Sequence, residues 1–119
     1  MKIHSYKDLV VWQKAMDLVS LIYKLTANFP NSELYGLSSQ MRRAAISIPS
    51  NIAEGRRRGH KKEFLQFLFN AYGSGAELET QLEIAKRLPK MKSLDYTEID
   101  LHLEEVMKML NIMIKNLTG

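Results

Sequence analysis

Arg42, Arg43, Arg56, Arg57, Arg58, Lys61 and Lys62 fall within one short window of the chain, opposed there mainly by Glu54 and Glu63. Arginine and lysine gathered at a helix end and its loop can contact phosphate oxygens without reading base sequence. The chemistry on offer is electrostatic capture of a polyanion. A solvated basic turn has the same composition, so the window alone does not choose between the two. Tyr35 and Tyr72 can in principle stack on bases, but both are expected to be packing residues.

A second constellation is polar. Arg43, Ser47, Ser50 or Asn51, and Glu54 follow one another at helical spacing. Glu63, Gln66, Asn70, Ser74, Glu77 and Gln81 repeat the rhythm downstream. If the two segments run antiparallel about Gly59, Arg43 comes level with Ser74 and Glu77, and an Arg43–Glu77 pair is expected. Buried polar groups must be hydrogen-bonded. Arg43, Ser47, Asn51, Glu54, Ser74 and Glu77 therefore read as a structural network that fixes helix register. The functional alternative is an acid/base site, but no nucleophile, base and orienter converge in the sequence.

Metal chemistry finds no support. Di-iron bundles use a Glu-x-x-His pair on each of two helices, and no glutamate here has a histidine three residues later. His4 lies in the N-terminal lead, His60 in a turn, and His102 among acidic residues. Walker, dinucleotide-binding and zinc-finger motifs are absent. Neither a catalytic residue nor a cofactor is expected.

Four helical segments must position these groups. The first runs from about Tyr6 to Asn28, with Ser5 and Asp8 at capping-box spacing. Val11 or Trp12, Ala15, Leu18 or Val19, Ile22, Leu25 and Phe29 make its apolar stripe, and Pro30-Asn31-Ser32 ends it. The second follows a break at Gly36, with Ser38 as the expected N-cap. Its stripe is Leu37, Met41, Ala44, Ile48 and Ile52. Pro49 removes a backbone donor, so a kink is expected where the pattern carries through it. Arg57 or Arg58 ends the segment, and Gly59 is a natural residue for the position after it.

The third segment spans about Lys61 to Leu88 and stops at Pro89. Phe64, Phe67 or Leu68, Ala71, Leu78, Leu82 and Ala85 form its stripe, with Gly73 and Gly75 inside it. Each interior glycine costs about 1 kcal/mol relative to alanine, so close backbone packing is expected to offset that cost. The fourth runs from about Asp95 to Leu117, with Asp95 and Glu98 at capping-box spacing. Ile99, Leu103, Val106, Leu110, Met113 and Leu117 share one face. Short connections between four helices predict an all-α, up-down-up-down antiparallel four-helix bundle. The fourth segment also carries Leu101, Met107, Met109, Ile112 and Ile114, and the first carries Leu9, Val10, Met16 and Leu21, outside a single stripe. A second apolar face on each predicts burial between subunits.

The chain of 119 residues is one domain, 1–119, long enough to bury about two thirds of its unfolded surface. Cysteine is absent, which removes disulfides and thiolate sites and fits a reducing cytoplasm. Nothing resembles a signal peptide or a membrane span. The net charge is +4, with the cations toward the middle and acidic residues around Asp95, Glu98, Asp100, Glu104 and Glu105. That asymmetry points to an anionic partner for the basic side.

Specific stretches resemble a known family. Tyr35-Gly-Leu-Ser-Ser-Gln-Met-Arg-Arg-Ala-Ala-Ile-Ser-Ile-Pro-Ser-Asn-Ile-Ala-Glu-Gly55 closely resembles the signature of the bacterial four-helix-bundle family named for the 23S ribosomal RNA intervening-sequence protein. Leu9-Val-Val-Trp-Gln-Lys-Ala15, Glu63-Phe-Leu-Gln-Phe-Leu68 and Ala71-Tyr-Gly-Ser-Gly-Ala-Glu-Leu-Glu79 look like its first and third helices. The resemblance covers almost the whole chain and implies a four-helix bundle assembling as a ring-shaped homopentamer. A related branch, the accessory variability determinant of diversity-generating retroelements, binds nucleic acid and a reverse transcriptase through a basic surface.

The expected function is a non-enzymatic homo-oligomeric bundle that binds RNA or DNA through the basic turn. Arg56, Arg57, Arg58, Lys61 and Lys62 are the expected contacts, with Arg42 beside them. The alternative is a protein-interaction scaffold or accessory subunit, its partner another protein such as a reverse transcriptase.

Overall fold

The computed structural model describes residues 5–118, so His4 of the N-terminal lead lies outside the described residues. The chain folds as four helices, α1 (Val10–Thr26), α2 (Leu37–Arg58), α3 (Lys61–Arg87) and α4 (Thr97–Thr118). Among the described residues there is no strand. Two short 3-10 turns, Tyr6–Asp8 and Asn31–Glu33, precede α1 and α2.

The helix starts differ from the sequence expectation. Ser5 caps only the 3-10 turn, its hydroxyl accepting from the Lys7 N–H at 3.1 Å. Leu9 is extended, and α1 begins after it. Ser38 does not cap α2; it is buried inside the first turn. Gly36 holds the cap position, and Glu33 reaches from the preceding turn to accept the Leu37 N–H through Oε1 at 3.2 Å. Asp95 accepts from the Thr97 N–H at 2.9 Å, and this backbone bond holds its carboxyl below the ordinary range. The bond goes to Thr97 and does not complete a box with Glu98.

The stripes face inward as their periodicity demands. Val11, Ala15, Leu18, Ile22, Leu25, Met41, Ala44, Ile48, Ile52, Leu68, Ala71, Leu78, Leu82 and Ala85 meet Ile99, Leu103, Val106 and Leu110 in one core. Each helix packs on its two neighbours in the order α1–α2–α3–α4 and back to α1, in a body of 46 × 23 × 22 Å. Side-chain contacts fix the directions. Arg42 near the start of α2 meets Thr26 at the end of α1, and Lys86 at the end of α3 meets Asp100 at the start of α4. Neighbours therefore run antiparallel. α2 continues through Pro49, which is buried on the side of the helix that meets α1.

The most extensive contact is between α2 and α3. Gly55 allows it. A Cβ there would lie 2.6 Å from the Phe67 Cβ and 3.1 Å from Phe64 Cδ1, and the Phe67 Cβ cannot retreat without moving its backbone. Gly75 serves α3–α4, where a Cβ would collide with the Met107 sulfur. Gly73 faces open space, so close packing offsets the cost of Gly75 and not that of Gly73.

The second apolar face of α4 is narrower than the sequence implies. Met107 and Ile114 are buried within the subunit, and Met109 is half-buried. Leu101 and Ile112 remain 63% and 57% exposed. On α1, Val10 and Met16 are exposed while Leu9 and Leu21 are half-buried against the core. α4 packs on both α1 and α3, so its core-facing arc is wider than one stripe.

Lys86 ties the far end together. Its ammonium donates to Asp100 Oδ2 at 2.8 Å and to Glu83 Oε1 at 3.3 Å, and lies 5.7 Å from the Tyr96 ring centroid. The Asp100 bond, opposed by partial burial, raises the Lys86 pKa, and burial raises that of Tyr96, whose hydroxyl donates to the Met91 carbonyl at 2.9 Å.

Two predictions follow from this packing. Gly55→Ala should lower stability by about 1–3 kcal/mol through overpacking, whereas Gly73→Ala should raise it by about 0.5–1 kcal/mol through helix propensity. Denaturant titration reads both, and equal effects would contradict the assigned roles. The second concerns alkaline pH. Both Lys86 and Tyr96 have folded pKa values raised above their unfolded values of about 10.4 and about 10. Their contribution is therefore complete below about pH 10 and lost as pH rises through the folded values. Melting temperature should fall less steeply above about pH 10 in a Lys86→Met, Tyr96→Phe variant than in the wild type; parallel curves would contradict it.

Candidate nucleic-acid interface

Arg56, Arg57 and Arg58 form the last turn of α2. Gly59 follows with φ 79°, a left-handed conformation that glycine adopts without a Cβ clash. His60 is extended, and α3 begins at Lys61. The chain thus reverses over two residues, and the cations of both helix ends share one end of the bundle. The negative C-terminal end of the α2 dipole favours the three arginines. The positive N-terminal end of α3 instead adds to the field of Lys61 and Lys62. His60 makes no side-chain cap for that helix.

Each cation has its own surroundings. Arg58 donates through Nη2 to Glu54 Oε2 at 2.9 Å, and its Nη1 lies 3.7 Å from Glu63 Oε2. The hydrogen bond to Glu54 raises its pKa further, and its guanidinium lies 5.4 Å from the Phe67 ring centroid. Arg57 sits 5.6 Å from the Tyr6 ring. Arg56 is half-buried at the edge of a cleft. His60, Lys61 and Lys62 are exposed, and among the described residues neither lysine has an ion-pair partner.

Arg42 stands apart. It lies about 21 Å from Arg56 at the helical rise of about 1.5 Å per residue. Its Nε donates to Thr26 Oγ1 at 2.8 Å, and its guanidinium covers the Tyr23 ring at 4.6 Å. Sequence proximity grouped it with a cluster that the length of α2 separates from it. Tyr35 also differs from expectation. It is 93% exposed just before the start of α2, at the end opposite the arginines. Tyr72 on α3 is exposed as well, against the same expectation.

The polar stripe is a network in its centre only. Ser47 Oγ and Ser74 Oγ are 2.8 Å apart, Asn51 Nδ2 donates to Ser47 Oγ at 2.9 Å and to its carbonyl at 2.8 Å, and Ser74 Oγ donates to the Asn70 carbonyl at 3.1 Å. With Ser74 committed to Asn70, Ser47 donates to Ser74, giving one directed chain across α2 and α3. The expected Arg43–Glu77 pair does not form. Both residues are exposed and stand on the walls of an open groove with Gln40, Ser47 and Gln81. The register is as expected and both side chains stand on the groove between α2 and α3, but they stay exposed and do not meet. Glu54 serves Arg58 instead of the network. Gln81, only 6% exposed, leaves its Oε1 without a partner among the described residues.

Two surfaces escaped the sequence reading. A cleft of about 290 Å³ at the basic end is lined by Gly55, Arg56, Gly59, His60, Lys61, Phe64 and Leu117. Gly55, an interior helical glycine, was its one visible signal. A groove of about 350 Å³ between α1 and α2 is lined by Tyr6, Trp12, Met16, Val19, Ile46, Pro49, Ser50 and Ala53. His102 hydrogen-bonds through Nδ1 to the Glu98 carbonyl at 3.0 Å, and no group of metal-ligating side chains gathers among the described residues. No helix among them is long and apolar enough to cross a membrane.

The fold has a counterpart. The chain is similar to a crystallised protein from Bacteroides thetaiotaomicron VPI-5482, described as a protein of unknown function from the S23 ribosomal protein family. The two share 28% identity with a TM-score of 0.78, over 89% of this chain and 99% of that one. No curated protein matches the chain. The family model of the 23S rRNA-intervening sequence protein matches residues 7–112. With that match spanning nearly all of α1 to α4, the chain belongs to the 23S rRNA-intervening sequence protein family.

Proposed function

We propose that this protein is a non-enzymatic, homo-oligomeric bundle of the cytoplasm that binds RNA or DNA by phosphate contact. The observation that carries the reading is the exposed pair Lys61 and Lys62, set beside Arg56, Arg57 and Arg58 on a turn of two residues. Phosphate contacts release counterions, so affinity is additive in charge and steep in salt. The ion pairs of Arg58 do not oppose this, because exposed pairs exchange readily for a phosphate.

Assembly as a ring-shaped homopentamer belongs to the same proposal. The α1–α2 groove and the exposed Leu101 and Ile112 on α4 are different patches, and unlike patches that meet head to tail close into rings. The family resemblance supplies the number five. A ring repeats each basic turn around one axis, and repetition turns weak contacts into avidity.

A second reading has its own support. Leu34 and Tyr35 form an exposed apolar tip at the end opposite the arginines. Aromatic residues of this kind are enriched at protein interfaces, which favours a scaffold whose partner is a protein such as a reverse transcriptase. A specific protein retained from nuclease-treated lysate by the wild type and lost with Tyr35→Ala would favour this reading over nucleic-acid binding.

Log affinity for mixed-sequence RNA and DNA should fall linearly with log salt. Alanine at Arg56, Arg57 and Arg58 together should flatten that slope by about one unit per phosphate contact removed, with the melting curve retained. Undetectable binding at low salt would overturn the proposal. Light scattering coupled to size exclusion should give five times the chain mass of 13.7 kDa. A monomer at micromolar concentration would refute both the ring and its avidity.

A further inference from the structure

The cleft at the basic end combines two chemistries that the phosphate-contact reading does not use together. Its lining combines apolar surface from Gly55, Phe64 and Leu117 with the cationic or hydrogen-bonding side chains of Arg56, His60 and Lys61. We propose that this cleft holds one unstacked nucleobase of a single-stranded RNA or DNA, its base against the Phe64 ring and its phosphate on the cationic side chains. This inference rests on the nucleic-acid reading above and adds to it a base contact.

The geometry supports that occupant. The volume of about 290 Å³ sits at the lower end of small-ligand pockets, about 300–1,000 Å³. A volume of that size suits a single ring system. Phe64 is half-buried, so part of its ring remains available while the rest is anchored. Gly55 provides the anchoring: the Phe64 Cδ1 lies 3.1 Å from where a Cβ would stand, so the α2 backbone supports the ring from behind. Base–aromatic stacking tolerates every base, because each presents a π-face. Arg57 and Lys62 are the chain neighbours of two of these cations and add exposed charge at the same end of the bundle. A duplex offers no splayed base, so the cleft selects single strands.

Fluorescence anisotropy should compare a short single-stranded oligonucleotide with one of equal phosphate number built from abasic sugars. The wild type should prefer the strand with bases by about 5- to 100-fold. Phe64→Leu should abolish that preference and leave the salt slope unchanged. Equal affinity of the wild type for both strands, with a steep salt slope, would overturn the base pocket and leave electrostatic binding standing. Failure of both strands to bind at low salt would remove the two together. If Phe64→Leu fails to fold, photocrosslinking of a 5-iodouracil strand to the wild type decides the matter. The adduct should map to Phe64 in the tryptic peptide spanning residues 63–86; adducts confined to other residues would overturn the proposal.

Discussion

The structure depends on how closely α2 and α3 approach at Gly55. Without a side chain there, the α2 backbone rests directly against the Phe67 Cβ and the Phe64 ring. That contact sets the distance between α2 and α3 and, with the Asn51–Ser47–Ser74–Asn70 chain, their register. The constraint is steric at one end and directional in the middle. Steric contact alone would allow sliding, and hydrogen bonds alone would allow separation. Together they hold the two-residue link at Gly59 and His60, where glycine takes the left-handed conformation that sends the chain back.

The functional character of the basic end follows from that link. Two helix termini of opposite dipole meet there. The arginines lie at the end whose dipole favours them, while the lysines add to the positive end of α3. A side chain from another helix also reaches this place, since Leu117 near the end of α4 lines the cleft. The far end is tied by Lys86 between α3 and α4, and α1 is joined to α4 by a Lys14–Glu105 bridge of 2.7 Å that holds the Glu105 carboxyl below the ordinary range.

Much of the fold was legible because its signals are local and periodic. Stripes at steps of three and four gave the inward faces, and Pro30, Gly59 and Pro89 gave the ends. Caps were less legible. Glu33 takes the place expected of Ser38 because it comes from a preceding turn whose geometry a spacing rule does not contain. Arg43 and Glu77 show the next limit. Periodicity places residues on one stripe, and Ser47 against Ser74 shows that the register was right. Whether two long side chains that share a groove also meet depends on their own conformations and on packing, set by all contacts together. The same collective packing buried Met107 and Ile114 beside the α4 stripe. Of the candidate site, the consecutive cations were visible. The separation of Arg42 needed the length of α2, and the cleft needed Phe64 and Leu117, distant in sequence, to meet.

The central claim is that the α2–α3 turn, and not the apolar groove or the α4 surface, receives nucleic acid. Hydrogen–deuterium exchange with and without single-stranded RNA tests it across the whole chain in one experiment. The account predicts slowed exchange over residues 55–64 and at the C-terminal turn of α4, with the α1–α2 groove unchanged. Protection confined to α1, to Leu34 and Tyr35, or absent everywhere at saturating RNA would contradict it.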